Sequence, residues 1–197
     1  MHYPTSHFRG LDQAAEEAFL RAYQSLIIFE GERPTVRFSR DAAEIFRQLA
    51  ELRRKNWSTS THWNQTAEQV GLAGELAVQF YLGISAETAM AEFKAGLMGD
   101  QGHDVEALGL KLDVKSTRGS ALKFKFSRTN SHASRADGFI FTYVENEGFE
   151  MRVQLLGWSH RAKVKPHLRD DGQRFFVRME TLRREGALHL VRQLRNA

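Results

Sequence analysis

Residues 104–117 read DVEALGLKLDVKST. Apolar and polar side chains alternate on both sides of Leu108–Gly109, the period of strands with one buried face. The segment therefore predicts a hairpin, or two linked strands. In its second half Leu112 and Val114 fall on one face, Asp113 and Lys115 on the other. An acid and a base thus share a strand face two residues apart. Asp104 lies nine residues before Asp113, and a turn at Leu108–Gly109 would bring the two alongside.

Outward from this stretch, the alternation continues in 121–127 (ALKFKFS), 138–144 (GFIFTYV), 151–159 (MRVQLLGWS) and 175–180 (FFVRME). The aromatic and β-branched content of 138–144 predicts a central strand. The preceding half reads as helices. One covers 11–29, with Leu11, Ala15, Phe19, Ala22, Leu26 and Phe29 on one stripe. A second covers Arg40–Lys55, with Ser39 as N-cap and Phe46, Leu49 and Leu52 inward. Together these two predict an N-terminal helical hairpin. A third helix covers 66–82 with Thr66 as cap, and a fourth 86–95 with Ser85 as cap. Gly71 and Gly74 inside the third helix each cost about 1 kcal/mol against Ala, which points to a close neighbour. A terminal helix is expected over about 179–194. Helices, then a mostly β half, then a helix make an α/β (α+β) fold with helices against one sheet. The expected division is a helical extension over 1–60 and a core domain over 61–197.

The chain has 197 residues, no cysteine and a formal charge of +4. Without cysteine there is no disulfide, thiolate metal site or cysteine nucleophile. The N-terminal MHYPTSHFRG lacks an apolar signal core, and no apolar run reaches the roughly 20 residues that span a bilayer. The expectation is a soluble intracellular protein, cytoplasmic or nucleoid-associated, with no membrane partner. Charge is concentrated. From Lys111 to Arg135, seven cations (Lys111, Lys115, Arg118, Lys123, Lys125, Arg128, Arg135) against Asp113 give a local net of +6. That field suits a polyanion. Arg53, Arg54 and Lys55 run into NWSTSTHWNQT, where Trp57 and Trp63 add aromatic surface suited to a nucleic-acid backbone or an unstacked base. Asn130 and His132 extend the polar, basic segment after 121–127. The KVKPHLR stretch at 163–169 is an exposed basic loop able to track phosphates.

Glu75 sits on the helix that carries the two glycines. If that helix packs on the sheet, Glu75 joins Asp104 and Asp113. Three crowded carboxylates need protons or a cation, and an all-oxygen cluster suits a hard divalent ion such as Mg²⁺. A neighbouring lysine can orient an attacking water and offset charge at a phosphoryl transition state. There is no Walker loop and no histidine pair at zinc-motif spacing.

The pattern GLAGELAVQFYLG … GDQGHD … KLDVKST resembles the PD-(D/E)XK nuclease superfamily, the restriction-endonuclease-like fold, over roughly residues 66–160. The family's proline is absent, and His103 precedes Asp104 instead. Asp100 competes with Asp104 for the first strand acid, but Asp104 adjoins the strand. The resemblance implies a central mixed sheet flanked by helices and hydrolysis of DNA with Mg²⁺ or Mn²⁺. It implies Glu75, Asp104, Asp113 and Lys115 as catalytic residues. Asp104, Asp113 and the Val114 carbonyl would ligate the metal, with Glu75 completing the site directly or through water. DNA is the implied partner, and double-strand cutting by one small site suits a homodimer. The same fold without catalysis, as a nucleic-acid-binding or structural subunit, and an RNA-cleaving enzyme are the alternatives.

Overall fold

The computed structural model describes residues 11–56, 65–98, 103–126, 136–147 and 150–195. Helix α1 (Gln13–Gln24) begins where Asp12 accepts from the Ala15 N–H at 2.8 Å. It stops earlier than its apolar stripe predicts. Ser25 Oγ donates to the Ala22 carbonyl at 2.8 Å, and the chain leaves the helix. The β-branched pair Ile27–Ile28 then enters strand β1 (Ile27–Phe29), which pairs antiparallel with β2 (Thr35–Phe38). The expected helical hairpin is corrected here: two strands separate α1 from α2 (Arg40–Asn56). Leu26 is buried either way, so helical and strand periods could not be told apart over these few residues. Ser39 does cap α2, accepting from the Ala42 N–H at 3.3 Å.

Helices α3 (Gln65–Tyr81) and α4 (Ala86–Met98) follow. Ser85 caps α4, accepting from Thr88 N–H at 3.2 Å. Thr66 lies within α3 rather than before it. The opening stretch forms the expected hairpin, β3 (Val105–Ala107) and β4 (Leu110–Thr117), with Ala107 opposite Leu110. Leu108 and Gly109 both have positive φ, 58° and 71°, as a two-residue turn matched to strand twist requires.

Strands β6 (Gly138–Glu147) and β7 (Glu150–His160) complete a six-stranded mixed sheet in the order β1-β2-β7-β6-β4-β3. The pair β4–β6 is parallel and the other pairs are antiparallel. Strand β6 is central, as its composition predicts. β5 (Lys123–Phe126) does not join this sheet. It pairs with β9 (Phe175–Arg178), which pairs with β8 (Arg169–Asp170), in a separate three-stranded sheet.

Period-2 alternation along β6 explains the layering. Ile140 and Val144 point to one face, where they pack with Phe19, Phe46, Leu76 and Leu112 under α1–α4. That apolar interior takes residues from both sides of position 60. Phe139 and Phe141 point the other way and pack with Phe124, Leu156, Val177 and Leu182 under the small sheet. After α5 (Arg161–Val164) and β8–β9, the expected long terminal helix is corrected to a six-residue α6 (Met179–Arg184). Gly186 at φ 61° ends it, His189 bridges to Trp158, and a 3-10 turn covers Val191–Leu194.

Gly74 explains how α3 meets the sheet. A methyl group there would overlap Ser116 Oγ and lie 2.7 Å from Thr142 Oγ1, two hydroxyls bonded to each other at 2.8 Å. The helix backbone therefore approaches β4 and β6 closely, with Glu75 next in sequence. Gly71 has no such neighbour; only Glu75 Oε1, at 3.9 Å, would be near.

Candidate active site

Asp104 is held at the entrance to β3 by backbone pairing. Its N–H donates to the Leu112 carbonyl at 2.9 Å, and its carboxylate accepts from the Val114 N–H at 2.6 Å. The side chain thus prolongs the β3–β4 ladder by one rung. Behind it, Gln79 Nε2 donates to Glu92 at 2.5 Å and to the Asp104 carbonyl at 3.4 Å. On β4, Lys115 Nζ lies 2.8 Å from Asp113 Oδ1 and 2.6 Å from Oδ2. The acid and base of the opening stretch are therefore one ion pair. Lys115 Nζ also sits 5.7 Å from the Phe126 ring centre, at the end of the small sheet.

Glu75 faces this group from α3. Both of its oxygens accept from Arg53, at 2.5 and 2.9 Å. Arg53 also pairs with Glu68, which is 3% exposed. Glu68, Glu75 and Gln79 recur at i, i+7 and i+11, one side of α3.

The electrostatics bind these residues into one unit. Burial, then the charges of Glu75 and Asp113, push the Asp104 carboxyl well above the usual carboxylate range. Burial alone would lower the Lys115 ammonium, but Asp113, Asp104 and Glu75 outweigh it and raise it. Burial likewise opposes ionisation of Glu75, yet Arg53 and Lys115 hold it below its ordinary value. Glu68 is raised by burial against the pull of Arg53.

The chain matches no family model, no curated protein and no solved structure. Its geometry alone bears on what it does.

Glu75, Asp104, Asp113 and Lys115 are brought to one place. Among the described residues, however, no three acid or histidine side chains are arranged to hold a metal ion together. Glu75, expected to complete the ligands, has both oxygens bonded by Arg53. What remains is a carboxyl pair, Asp104 and Asp113, whose mutual repulsion helps to raise the Asp104 carboxyl. The Val114 carbonyl shares a strand edge with the N–H that Asp104 accepts, because one residue's N–H and C=O point the same way. Mg²⁺ is commonly bound by one or two carboxylates and keeps several waters. Two carboxyls are a donor number that such a cation uses, and its charge would favour ionisation of the Asp104 carboxyl, which burial opposes.

The other expected contact residues divide. Arg53 belongs to the buried ion group instead of presenting itself to a polyanion. Arg54 and Lys55 both pair with Glu51 on α2, at 2.8 and 3.6 Å. Arg118 is exposed just beyond β4. Lys123 pairs with Asp171 at 3.2 Å, while Lys125 is exposed. Trp57, Trp63, Arg128, Asn130, His132 and the competing Asp100 lie outside the described residues. Glu106 is a surface acid, 62% exposed, with His103 Nε2 at 3.1 Å.

Glu68, Gln79 and the inward role of Arg53 escaped the sequence reading. One signal was available. Arg53 falls at i+7, i+4 and i+3 from Phe46, Leu49 and Ala50, all buried, so it lies on the inward stripe of α2. A charge there demands a buried partner.

Proposed function

We propose that this chain is a Mg²⁺- or Mn²⁺-dependent endodeoxyribonuclease with a restriction-endonuclease-like core of the PD-(D/E)XK type. One observation supports it above all: the half-buried Asp104–Asp113–Lys115 group on adjoining strands, with Glu75 facing it from a helix held close by Gly74. Asp104, Asp113 and the Val114 carbonyl would hold the cation. When bound, such a cation polarises a phosphoryl oxygen and makes bound water a better nucleophile.

The chain's own residues then have defined work. Lys115, kept cationic by three carboxylates, donates a hydrogen bond that orients the attacking water and offsets charge on the pentacovalent phosphorus. The attacking water gives up a proton to solvent as its oxygen bonds to phosphorus, the P–O bond to the leaving sugar oxygen breaks, and that oxygen takes a proton from solvent. Arg53 fixes Glu75 and limits the negative charge that the group presents to an approaching phosphate. DNA is the proposed partner, an intracellular nucleoid setting the proposed location, and a homodimer the proposed form for cutting both strands.

A second reading, a nucleic-acid-binding subunit without catalysis, draws on the Arg53–Glu75 pair, which already neutralises one of the acids. Plasmid DNA separates the two. With Mg²⁺ or Mn²⁺ the proposal expects nicking or linearisation, abolished by EDTA and by Lys115→Ala. Cleavage that survives Lys115→Ala would sink it. Parallel digests of RNA report whether the substrate is DNA.

A further inference from the structure

The outward face of the small sheet is unusually cationic. Cross-strand partners share a face. Lys125 is opposite Phe176, and Phe176 is opposite Arg169, so these three form one rung across β5, β9 and β8. In the next rung Lys123 is opposite Arg178. The inward residues are apolar: Phe124 and Val177 are buried. Like charges directly opposite one another destabilise a ladder, so Lys123 facing Arg178 works against the β5–β9 pairing.

Several cations elsewhere in the protein are answered by acids. Arg47 pairs with Glu44, Arg54 with Glu51, Lys94 with Glu16 and Arg195 with Glu30. On this face only Lys123 is, through Asp171, and its ammonium also lies 3.7 Å from the Phe176 ring centre. Asp171 is further engaged by the N–H groups of Gln173 and Arg174. Lys125, Arg169 and Arg178 are exposed and have no ion pair among the described residues. The face is therefore a flat array of three unneutralised cations beside an aromatic ring. The reverse side of this sheet adjoins the candidate site: Phe126, the residue after Lys125, alternates inward with Phe124 and lies against Lys115.

We propose that this face is the platform for the backbone of the nucleic-acid strand that reaches the site, with Lys125, Arg169 and Arg178 contacting successive phosphates. The identity of the strand rests on the nuclease reading above. A membrane surface fits less well, because the face offers one half-buried ring and no apolar side chains able to insert.

Fluorescence anisotropy with a fluorescein-labelled DNA oligonucleotide, single-stranded or duplex, in EDTA, tests this. The variant Lys125→Gln/Arg169→Gln/Arg178→Gln is expected to bind at least tenfold more weakly at low salt. Its log K against log[salt] slope should be shallower by about 2 to 3. The charge-keeping variant Lys125→Arg/Arg169→Lys/Arg178→Lys should stay within threefold of wild type, and thermal melts check that both fold. Wild-type affinity in the neutral variant overturns the proposal. So does unchanged DNA binding combined with lost binding to phosphatidylserine vesicles. The two readings fail separately. If wild type does not hydrolyse bis(p-nitrophenyl) phosphate with Mn²⁺, the catalytic assignment fails, while the anisotropy still decides the platform.

Discussion

Arg53 on α2 holds both carboxylate oxygens of Glu75 on α3, 22 residues away, at 2.5 and 2.9 Å. The same guanidinium reaches Glu68, so a single cation answers two acids at the junction of two helices. Removing one partner of a buried ion group leaves the others uncompensated, typically at a cost of 3–5 kcal/mol. Arg53→Ala is therefore expected to lose about 3–5 kcal/mol in urea denaturation. Adding Glu68→Gln and Glu75→Gln should return much of it. Equal stability of Arg53→Ala and wild type would show that the triad carries no such strain.

Asp104 gives stability a sign that can be read against pH. Its folded carboxyl keeps its proton to a higher pH than the unfolded one, which titrates near about 3.9. Between the two values the folded state binds more protons, so its contribution to stability falls as pH rises. Asp104→Asn still offers an oxygen to the Val114 N–H and removes this cost. The variant is expected to be more stable than wild type at neutral pH, with the advantage vanishing below about pH 4. Melts across pH 3–8 measure it, and an advantage that grows on acidification contradicts the assignment.

Two glycines on α3 should respond in opposite ways. Gly74→Ala places a methyl into the Ser116–Thr142 hydroxyl pair, and overpacking of this kind costs about 1–3 kcal/mol. Pairing it with Ser116→Ala should recover part of the loss. Gly71→Ala meets only ordinary contact and should gain about 0.5–1 kcal/mol from helix propensity. Denaturation midpoints of the three variants decide between this and a general intolerance of α3 to substitution.

Leu108 occupies a left-handed position at φ 58° while 44% exposed. A non-glycine residue pays about 1 kcal/mol there, and Asn tolerates it better. Leu108→Asn should raise stability by about 1 kcal/mol without altering the site, seen as a higher melting temperature. A lower one would mean that Leu108 makes a packing contribution its exposure conceals.

The hairpin and the placement of its charged side chains were legible because both depend on short-range pattern. Alternation set the faces of Leu112, Asp113, Val114 and Lys115, and Leu108–Gly109 marked the reversal that carries Asp104 back beside Val114. Gly74 signalled a close approach by its cost in a helix. The strand at Ile27–Phe29 was missed because three residues are too few to distinguish a period of 2 from 3.6, and the helix before it shares Leu26 with either pattern.

Local alternation and helical stripes by themselves determined the mixed α/β class, the central strand at 138–144 and the shared strand face of Asp113 and Lys115. Only the tertiary structure decided which charges answer which. Arg53 reads as one of three basic residues before a loop, yet it is half-buried against two acids further along the chain. Lys125, Arg169 and Arg178 share a face although up to 53 positions separate them. Electrostatic partners are set by distance in space, and burial lets one charge act strongly only on those it meets there.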